Sequence, residues 1–277
     1  MSKPAVIYYS ATGHGTAMAN RVAAAAEAAG TEARVCHIAE TRDPQSFAQN
    51  QAWTANHEAT KDLPAASGED IVWADAIIFG SPTRFGGQTS QIRAFIETLG
   101  EPWAQGKLDD KIYAGFTSSQ TAHGGQETTL MNLYTTLMHF GGISVAPGDA
   151  DPAKFVDGNP YGVSHVSGPE NKNPLDMATL NALHHLARRV VSLADRLDAG
   201  RRLSFQLGER VNGPPARPAG APRRRRRCRS GFAVLVPAID RRARRLQMGM
   251  GVGRGGREPW AAVVGGTTEF PELPRVR

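Results

Sequence analysis

Five short apolar runs alternate with helical patterns over the first 200 residues. The runs are 5–9, 33–38, 76–79, 112–117 and 143–145, and the helical stretches are 16–29, 88–99, 127–140 and 175–198. Short, nearly continuous apolar runs mark strands buried on both faces. Strand–helix alternation of this kind predicts a parallel sheet with helices packed on both sides, because each parallel neighbour needs a crossover that returns the chain to the same end. Gly30 sits where the first helix should stop, since glycine accepts the left-handed conformation that closes a helix.

The turn after the first run is the most chemically suggestive. Residues 5–16 read AVIYYSATGHGT, a strand, a segment of hydroxyls and glycines, and a helix start. A helix N-terminus offers unpaired N–H groups and the positive end of the helix dipole. Ser10, Thr12 and Thr16 add hydroxyls, and Gly13 and Gly15 let the backbone approach a ligand; Ala11 and His14 complete the loop. The spacing is not GxGxxG, and no lysine supplies a Walker A loop. The pattern suits a terminal monophosphate bound without a metal; the plainer alternative is an ordinary strand–helix turn.

Two further loops of similar composition follow later strands. Gly80-Ser81-Pro82-Thr83-Arg84-Phe85-Gly86-Gly87 follows the third, and residues 118–127, SSQTAHGGQE, follow the fourth. Arg84 and Phe85 can flank a flat aromatic ring. Three such loops at the carboxyl edge of one sheet converge on one crevice, where doubly wound proteins bind ligands. Five strands with the phosphate loop after the first fit a flavodoxin-like sheet of order 2-1-3-4-5. Two longer segments interrupt the alternation: 41–70, polar and carrying Trp53, His57 and Pro64, and 146–174, rich in Gly, Pro and Asn. Long loops in compact domains often cover sites or build subunit contacts.

Charge divides the chain. The net charge is +6 over 277 residues, yet residues 201–277 hold 18 Arg, no Lys and 5 acids, so they carry +13 and residues 1–200 carry −7. The basic character therefore belongs to the C-terminal segment. Its Pro, Gly and Arg composition without periodicity predicts disorder, with a domain boundary at Gly200. The Arg run 223–227 could meet phosphates of nucleic acid or anionic lipid; a solvated tail or an out-of-frame extension fits better, which weighs against a nucleic-acid partner. No apolar run approaches 18 residues, so no membrane insertion is expected, and the start MSKPAVIYYS lacks signal-peptide regions. Cys36 and Cys228 form no disulfide framework and no metal spacing is present, as expected of a cytoplasmic chain.

The motifs YYSATGHGTAMA, AIIFGSPTRFGGQTSQIRAFIE, SSQTAHGGQE, TTLMHFGG and NPYGVSHVSG resemble the WrbA-type NAD(P)H:quinone oxidoreductases over roughly residues 5–197. The resemblance implies FMN as cofactor, NADH or NADPH as reductant, a quinone as substrate, and a homotetramer. It implies that Ser10, Ala11, Thr12, Gly13, His14 and Gly15 cradle the FMN phosphate. Thr83, Arg84 and Phe85 would border the isoalloxazine ring. Ser119, Gln120, Thr121, Ala122, His123 and Gly124 would touch the ring and ribityl chain. His139 would reach the flavin from a neighbouring subunit, and Trp103 would wall the quinone pocket. Ping-pong hydride transfer through the flavin is implied, with no protein nucleophile. Two positions depart from the family pattern: Thr12 replaces a common aromatic associated with the nicotinamide, and His123 replaces a common glycine. The rival readings are a flavodoxin-like electron carrier and a flavin-binding regulatory or nucleic-acid-associated protein.

Overall fold

The computed structural model describes residues 1–212, with side chains to Leu203. Strands β1 (Pro4–Tyr8), β2 (Arg34–His37), β3 (Ala76–Pro82), β4 (Ile112–Ser119), β5 (Ile143–Ser144) and β6 (Val163–Val166) form one parallel sheet. Its order is β2-β1-β3-β4-β5, as the alternation predicted.

The strands show why. In β1, Val6 and Tyr8 join one apolar cluster while Ala5 and Ile7 join the other; in β3, Ile78 faces the first and Ile77 and Phe79 the second. Successive side chains point to opposite faces of a strand, so a strand buried on both sides reads as an unbroken apolar run. Helices α1 (His14–Ala28) and α8 (Met177–Asn212) cover the first face through residues such as Met18, Val22, Leu183, Leu186 and Val190. Helices α4 (Ser90–Glu97) and α6 (Gln126–His139) cover the second through Ile92, Phe95, Leu130, Leu133 and Leu137.

The expected fifth strand is divided. β5 pairs only with Ile112 and Tyr113 of β4, and β6 completes the same edge against Phe116–Ser119. The intervening chain carries α7 (Pro152–Asp157), whose Lys154 is fully buried, paired with Asp157, and donates to the Gly162 carbonyl at 2.7 Å. Gly162 itself has no room for a side chain: a Cβ there would lie 2.4 Å from the Gly115 carbonyl oxygen. The insert is thus seated directly on β4 and α6.

The long polar segment 41–70 is also more ordered than its composition implied. It holds a 3-10 turn (Pro44–Phe47), α2 (Gln51–Thr60) and α3 (Gly68–Trp73). Caps rather than apolar periodicity start these helices. Asn50 accepts from the Trp53 N–H, and Ser67 and Asp70 form a reciprocal capping box. The expected helix 88–99 begins at Ser90 behind a Thr89 cap, and a separate α5 (Gly100–Ala104) follows it. Helix α8 continues past Gly200 to Asn212. The expectation of disorder beyond that point lies outside the described residues. Among the described residues, no helix is long and apolar enough to cross a membrane.

Candidate functional site

A cavity of about 480 Å³ opens at the carboxyl ends of the strands, within the range of small-molecule sites. It lies between the segments after β1, β2, β3, β4 and β6, so the sheet order places it where a doubly wound fold binds ligands.

The loop after β1 forms one wall. Gly13 caps α1 at φ 92° with no side-chain cap, and Gly125 caps α6 likewise at φ 89°. Helices α2, α4 and α7, by contrast, each have a side chain on their first-turn N–H groups. The first-turn donors of α1 are therefore available to a ligand. Ser10 Oγ accepts from the Gly13 N–H at 3.1 Å and fixes the turn. A Cβ on Gly15 would lie 2.9 Å from the Tyr9 carbonyl oxygen and 3.1 Å from Ser10 Cβ, so only glycine lets the helix start this close to the strand end. Asn56 of α2 braces the loop from behind, donating to the Ser10 carbonyl at 2.8 Å and accepting from Thr16 Oγ1 at 3.0 Å. Ser10, Ala11, Thr12, His14 and Gly15 line the cavity, and Gly13 shapes the turn without lining it. Thr16, a hydroxyl in the sequence reading, is turned to Asn56.

His14 is held firmly. Its ring stacks on buried His165 with centroids 5.1 Å apart, and the Nε2 atoms of both meet the Asn173 carbonyl at 3.1 Å. Two ring nitrogens facing one carbonyl both carry hydrogen; Nδ1 of His14 lies 3.4 Å from Thr12 Oγ1, and the buried Nδ1 of His165 has no partner. Burial holds the His165 imidazole below its ordinary pKa, and the neighbouring His14 adds to this.

The loop after β3 forms the opposite wall. Arg84 and Gly87 exchange both backbone hydrogen bonds, at 2.8 and 2.9 Å, around Phe85 at φ 52° and Gly86 at φ 78°. This is a tight turn of the type with two left-handed central residues. Phe85 holds that conformation against its side-chain preference and leaves its ring wholly exposed at the cavity mouth. Strain of this kind is characteristic of ligand-contacting turns. Thr83 ties this loop to the next. Its hydroxyl receives the Thr129 hydroxyl at 2.7 Å and lies 3.3 Å from the Gly124 carbonyl, while its N–H donates to the Ser118 carbonyl at 2.9 Å. Thr83→Val, nearly isosteric, is expected to destabilise the fold by about 1–3 kcal/mol through the stranded partners. FMN affinity should fall with it; denaturant unfolding and flavin fluorescence titration check both.

From the loop after β4, Ser119, Gln120, Thr121 and Gly124 line the cavity. Ala122 is turned to cap Gln126 through its carbonyl, and His123 is exposed outside the lining. Gly124 packs where a Cβ would sit 2.7 Å from Ser119 Cβ.

His139 and Trp103 lie elsewhere. Trp103 Nε1 donates to the His139 carbonyl at 3.1 Å, and both residues are exposed. Helix α6 starts beside the cavity and its 14 residues end at His139, about 20 Å along at 1.5 Å per residue. Neither residue reaches the cavity of its own chain.

Several lining residues escaped the sequence reading. Ser167 and Asn171 belong to the chain after β6, where the Ser167 N–H and Oγ both donate to the Ser119 carbonyl. Asn50, Trp53 and Arg42 come from the segment after β2, and Glu40 organises them. Its Oε1 accepts from the N–H groups of Thr41 and Arg42 at 2.9 and 3.0 Å and from Gln91 Nε2 at 2.6 Å. Its Oε2 accepts from Trp53 Nε1 at 2.9 Å and from the Tyr9 hydroxyl. Burial opposes ionisation of Glu40, but the bonds from Tyr9, the Arg42 N–H, Gln91 and Trp53 outweigh it and hold the carboxyl below its ordinary pKa. A folded-state pKa below the unfolded value of about 4.3 adds stability that is complete at neutral pH and lost as pH falls through the folded pKa. Glu40→Gln is expected to destabilise by about 1–3 kcal/mol at pH 7, with a smaller difference from wild type at pH 3–4. Melting curves at both pH values check the sign.

Other chemistries find less support here. Burial raises the Cys36 thiol to about 11, which leaves it protonated at neutral pH. Among the described residues, no group of three or more His, Cys, Asp or Glu is placed to hold a metal ion.

Comparison with known proteins identifies the family. Residues 5–150 match the family described as NADPH-dependent FMN reductase. A NAD(P)H dehydrogenase (quinone) of Deinococcus radiodurans is 47% identical over 196 residues, which cover 70% of this chain and 96% of that protein. One from Sinorhizobium fredii is 38% identical over 204 residues, covering 70% and 100%. Among solved structures, the flavodoxin, WrbA-like protein of Agrobacterium tumefaciens superposes with a TM-score of 0.50 at 25% identity, covering 71% of this chain and 99% of that one.

Proposed function

This chain belongs to the NADPH-dependent FMN reductase family as a NAD(P)H dehydrogenase (quinone), and we propose how its residues perform FMN-dependent quinone reduction. Bound FMN supplies the redox chemistry, accepting two electrons from NAD(P)H and passing them to a quinone; the protein binds, orients and shields.

The observation that carries the reading is the uncapped start of α1 at Gly13, opening on a crevice walled by Thr83–Phe85 and Ser119–Gly124. The residues fit the cofactor. The N–H groups of the first turn of α1, with the Ser10 and Thr12 hydroxyls, hold the phosphate dianion. Thr83, Arg84 and Phe85 border one side of the isoalloxazine, and Ser119, Gln120, Thr121 and Gly124 meet the ring and ribityl chain. Gly13 shapes the phosphate turn, and Ala122 and His123 flank the flavin loop. The exposed Phe85 ring at the mouth offers an apolar surface to an incoming planar substrate.

Nicotinamide and quinone must reach the same crevice, so they take turns. Initial rates with both substrates varied should give parallel double-reciprocal lines; lines that intersect would contradict alternating use of one crevice.

Trp103 and His139 enter through assembly. Because they lie about 20 Å from the α6 start and outside their own chain's cavity, a homotetramer that supplies them to a neighbouring subunit's site would give them a role. Two thiols, one of them buried, suit a reducing cytoplasm, and the flavin-binding body corresponds to residues 1–200. Trp103→Ala is expected to raise the quinone KM about tenfold and leave FMN affinity within twofold. Sedimentation measurement of the assembled mass accompanies it, and a monomeric active enzyme would remove the trans role.

A further inference from the structure

Resting on the reading of this site as a nicotinamide-driven oxidoreductase, we propose that Arg42, with Arg84 beside it, forms a second anion subsite that takes the 2′-phosphate of NADPH and so selects NADPH over NADH. Both guanidinium-bearing residues line the cavity. Among the described residues, neither is ion-paired with a carboxylate. Arg84 makes one side-chain bond, from Nη1 to the Thr83 carbonyl at 3.0 Å. The Arg42 guanidinium lies over the Trp53 ring at 5.0 Å, and its bond to Glu40 comes from the backbone N–H alone. Arg84 lies within Coulomb reach of Arg42, Tyr9 and Glu40, and Arg42 within reach of Tyr9. Two mutually repelling cations lining one cavity are poised for an anion.

Glu40 is the natural counterion, and its geometry denies it that role. Five donors already occupy its two oxygens, about the full capacity of a carboxylate. It anchors Trp53 instead, and through Trp53 the platform under Arg42. Phe47 stacks on the same indole, with centroids 5.0 Å apart and planes 7° from parallel, so the Trp53 ring cannot swing. A guanidinium held over an anchored indole, 5.0 Å from its centroid, is placed for phosphate recognition.

The charge count favours NADPH. The first turn of α1 accounts for the FMN phosphate, so the arginine pair answers to a different anion. Selection of NADH ordinarily uses a carboxylate that grips the free ribose 2′-hydroxyl, whereas arginine accommodates the 2′-phosphate. No aspartate or glutamate is among the described residues lining the cavity, and the nearby Glu40 has no acceptor to spare. Thr12, which cannot stack on an aromatic ring, leaves recognition of the nucleotide to other residues, and the Arg42–Trp53 pair supplies a cationic surface on the same cavity.

The test uses the full chain loaded with FMN and the variants Arg42→Met, which keeps the apolar stem on Trp53, and Arg42→Lys. Calorimetric titration compares adenosine 2′,5′-bisphosphate with adenosine 5′-monophosphate. Steady-state turnover of benzoquinone compares NADPH with NADH. In Arg42→Met the ratio of kcat/KM for NADPH to that for NADH should fall about 10–100-fold, as expected for a lost charge-assisted contact. The bisphosphate should weaken by a similar factor and the monophosphate should not; Arg42→Lys should retain part of the preference. An unchanged ratio, or equal losses for both nucleotides and both adenosine probes, overturns the assignment. If wild type turned over neither nucleotide, the oxidoreductase reading would fail separately, and the bisphosphate titration would still decide the subsite.

Discussion

Gly15→Ala is expected to weaken FMN binding about a hundredfold while the sheet and core remain intact. The added Cβ would meet the Tyr9 carbonyl at 2.9 Å and Ser10 at 3.1 Å, closer than ordinary van der Waals contact. The end of β1 is fixed, because Tyr9 donates its N–H to Gly80 and packs in the core. The helix start must therefore move, carrying the first-turn N–H groups off their aim. Each charge-assisted bond to the phosphate is worth about 1.5–3 kcal/mol, so spoiling one or two gives the predicted loss at about 1.4 kcal/mol per tenfold. Fluorescence titration with FMN measures the affinity, and far-ultraviolet circular dichroism separates a spoiled cradle from an unfolded chain. Wild-type affinity in this variant would show that the α1 turn does not hold the phosphate.

Lys154→Met should produce the largest loss of stability. Lys154 and Asp157 are both almost completely inaccessible, and the ammonium also satisfies the Gly162 carbonyl. Burial alone raises the Asp157 carboxyl above its ordinary pKa, and the pairing with Lys154 works against that. Removing one partner of a buried pair typically costs about 3–5 kcal/mol, because the other charge is left uncompensated. For a domain of this size that corresponds to a Tm lower by roughly 6–20 °C. A Lys154→Met/Asp157→Leu double variant should recover much of the loss, since well-packed apolar residues often replace a buried pair at little cost. Thermal melts of wild type, both single variants (Lys154→Met and Asp157→Leu) and the double variant form the cycle. A single variant as stable as wild type would mean that the insert is not held by this pair.

The fold was legible where physics writes directly into composition. β1, β3 and β4 are buried on both faces and appear as apolar runs; the glycine- and hydroxyl-rich loops after them appear because close backbone approach and hydrogen bonding demand those residue types. The fifth strand was only half legible. Ile143 and Ser144 pair as expected, but Val163–Val166 carries Ser164 and His165 on an edge position and so lacks the apolar signature. Helices α2 and α3 were hidden because short helices depend on Asn50, Ser67 and Asp70 as caps more than on periodicity. Helix α8 crosses Gly200 because one glycine costs only about 1 kcal/mol in a helix, too little to stop a helix so well anchored on the sheet.

The same distinction governs the site. Ser10–Gly15, Thr83–Phe85 and most of Ser119–Gly124 stood out because they sit at strand ends. Arg42 and Trp53 did not, for their place depends on Glu40 reaching Tyr9 and Gln91, contacts 31 and 51 residues away in sequence. Nothing local marks such a hub. The segment 159–168 was visible as a motif, but its service to the cavity depends on Ser167 bonding Ser119, 48 residues distant.

The central claim is that the cleft between the α1 turn and the β3 and β4 loops holds FMN and runs quinone reduction through it. Its most direct test is benzoquinone reduction by the purified, flavin-stripped chain, with NADPH and with NADH, before and after adding FMN. The account predicts negligible turnover without FMN and saturable restoration as FMN is added, lost in parallel with FMN affinity in Gly15→Ala. Turnover independent of FMN, or tight FMN binding with no turnover by either nucleotide, would contradict it.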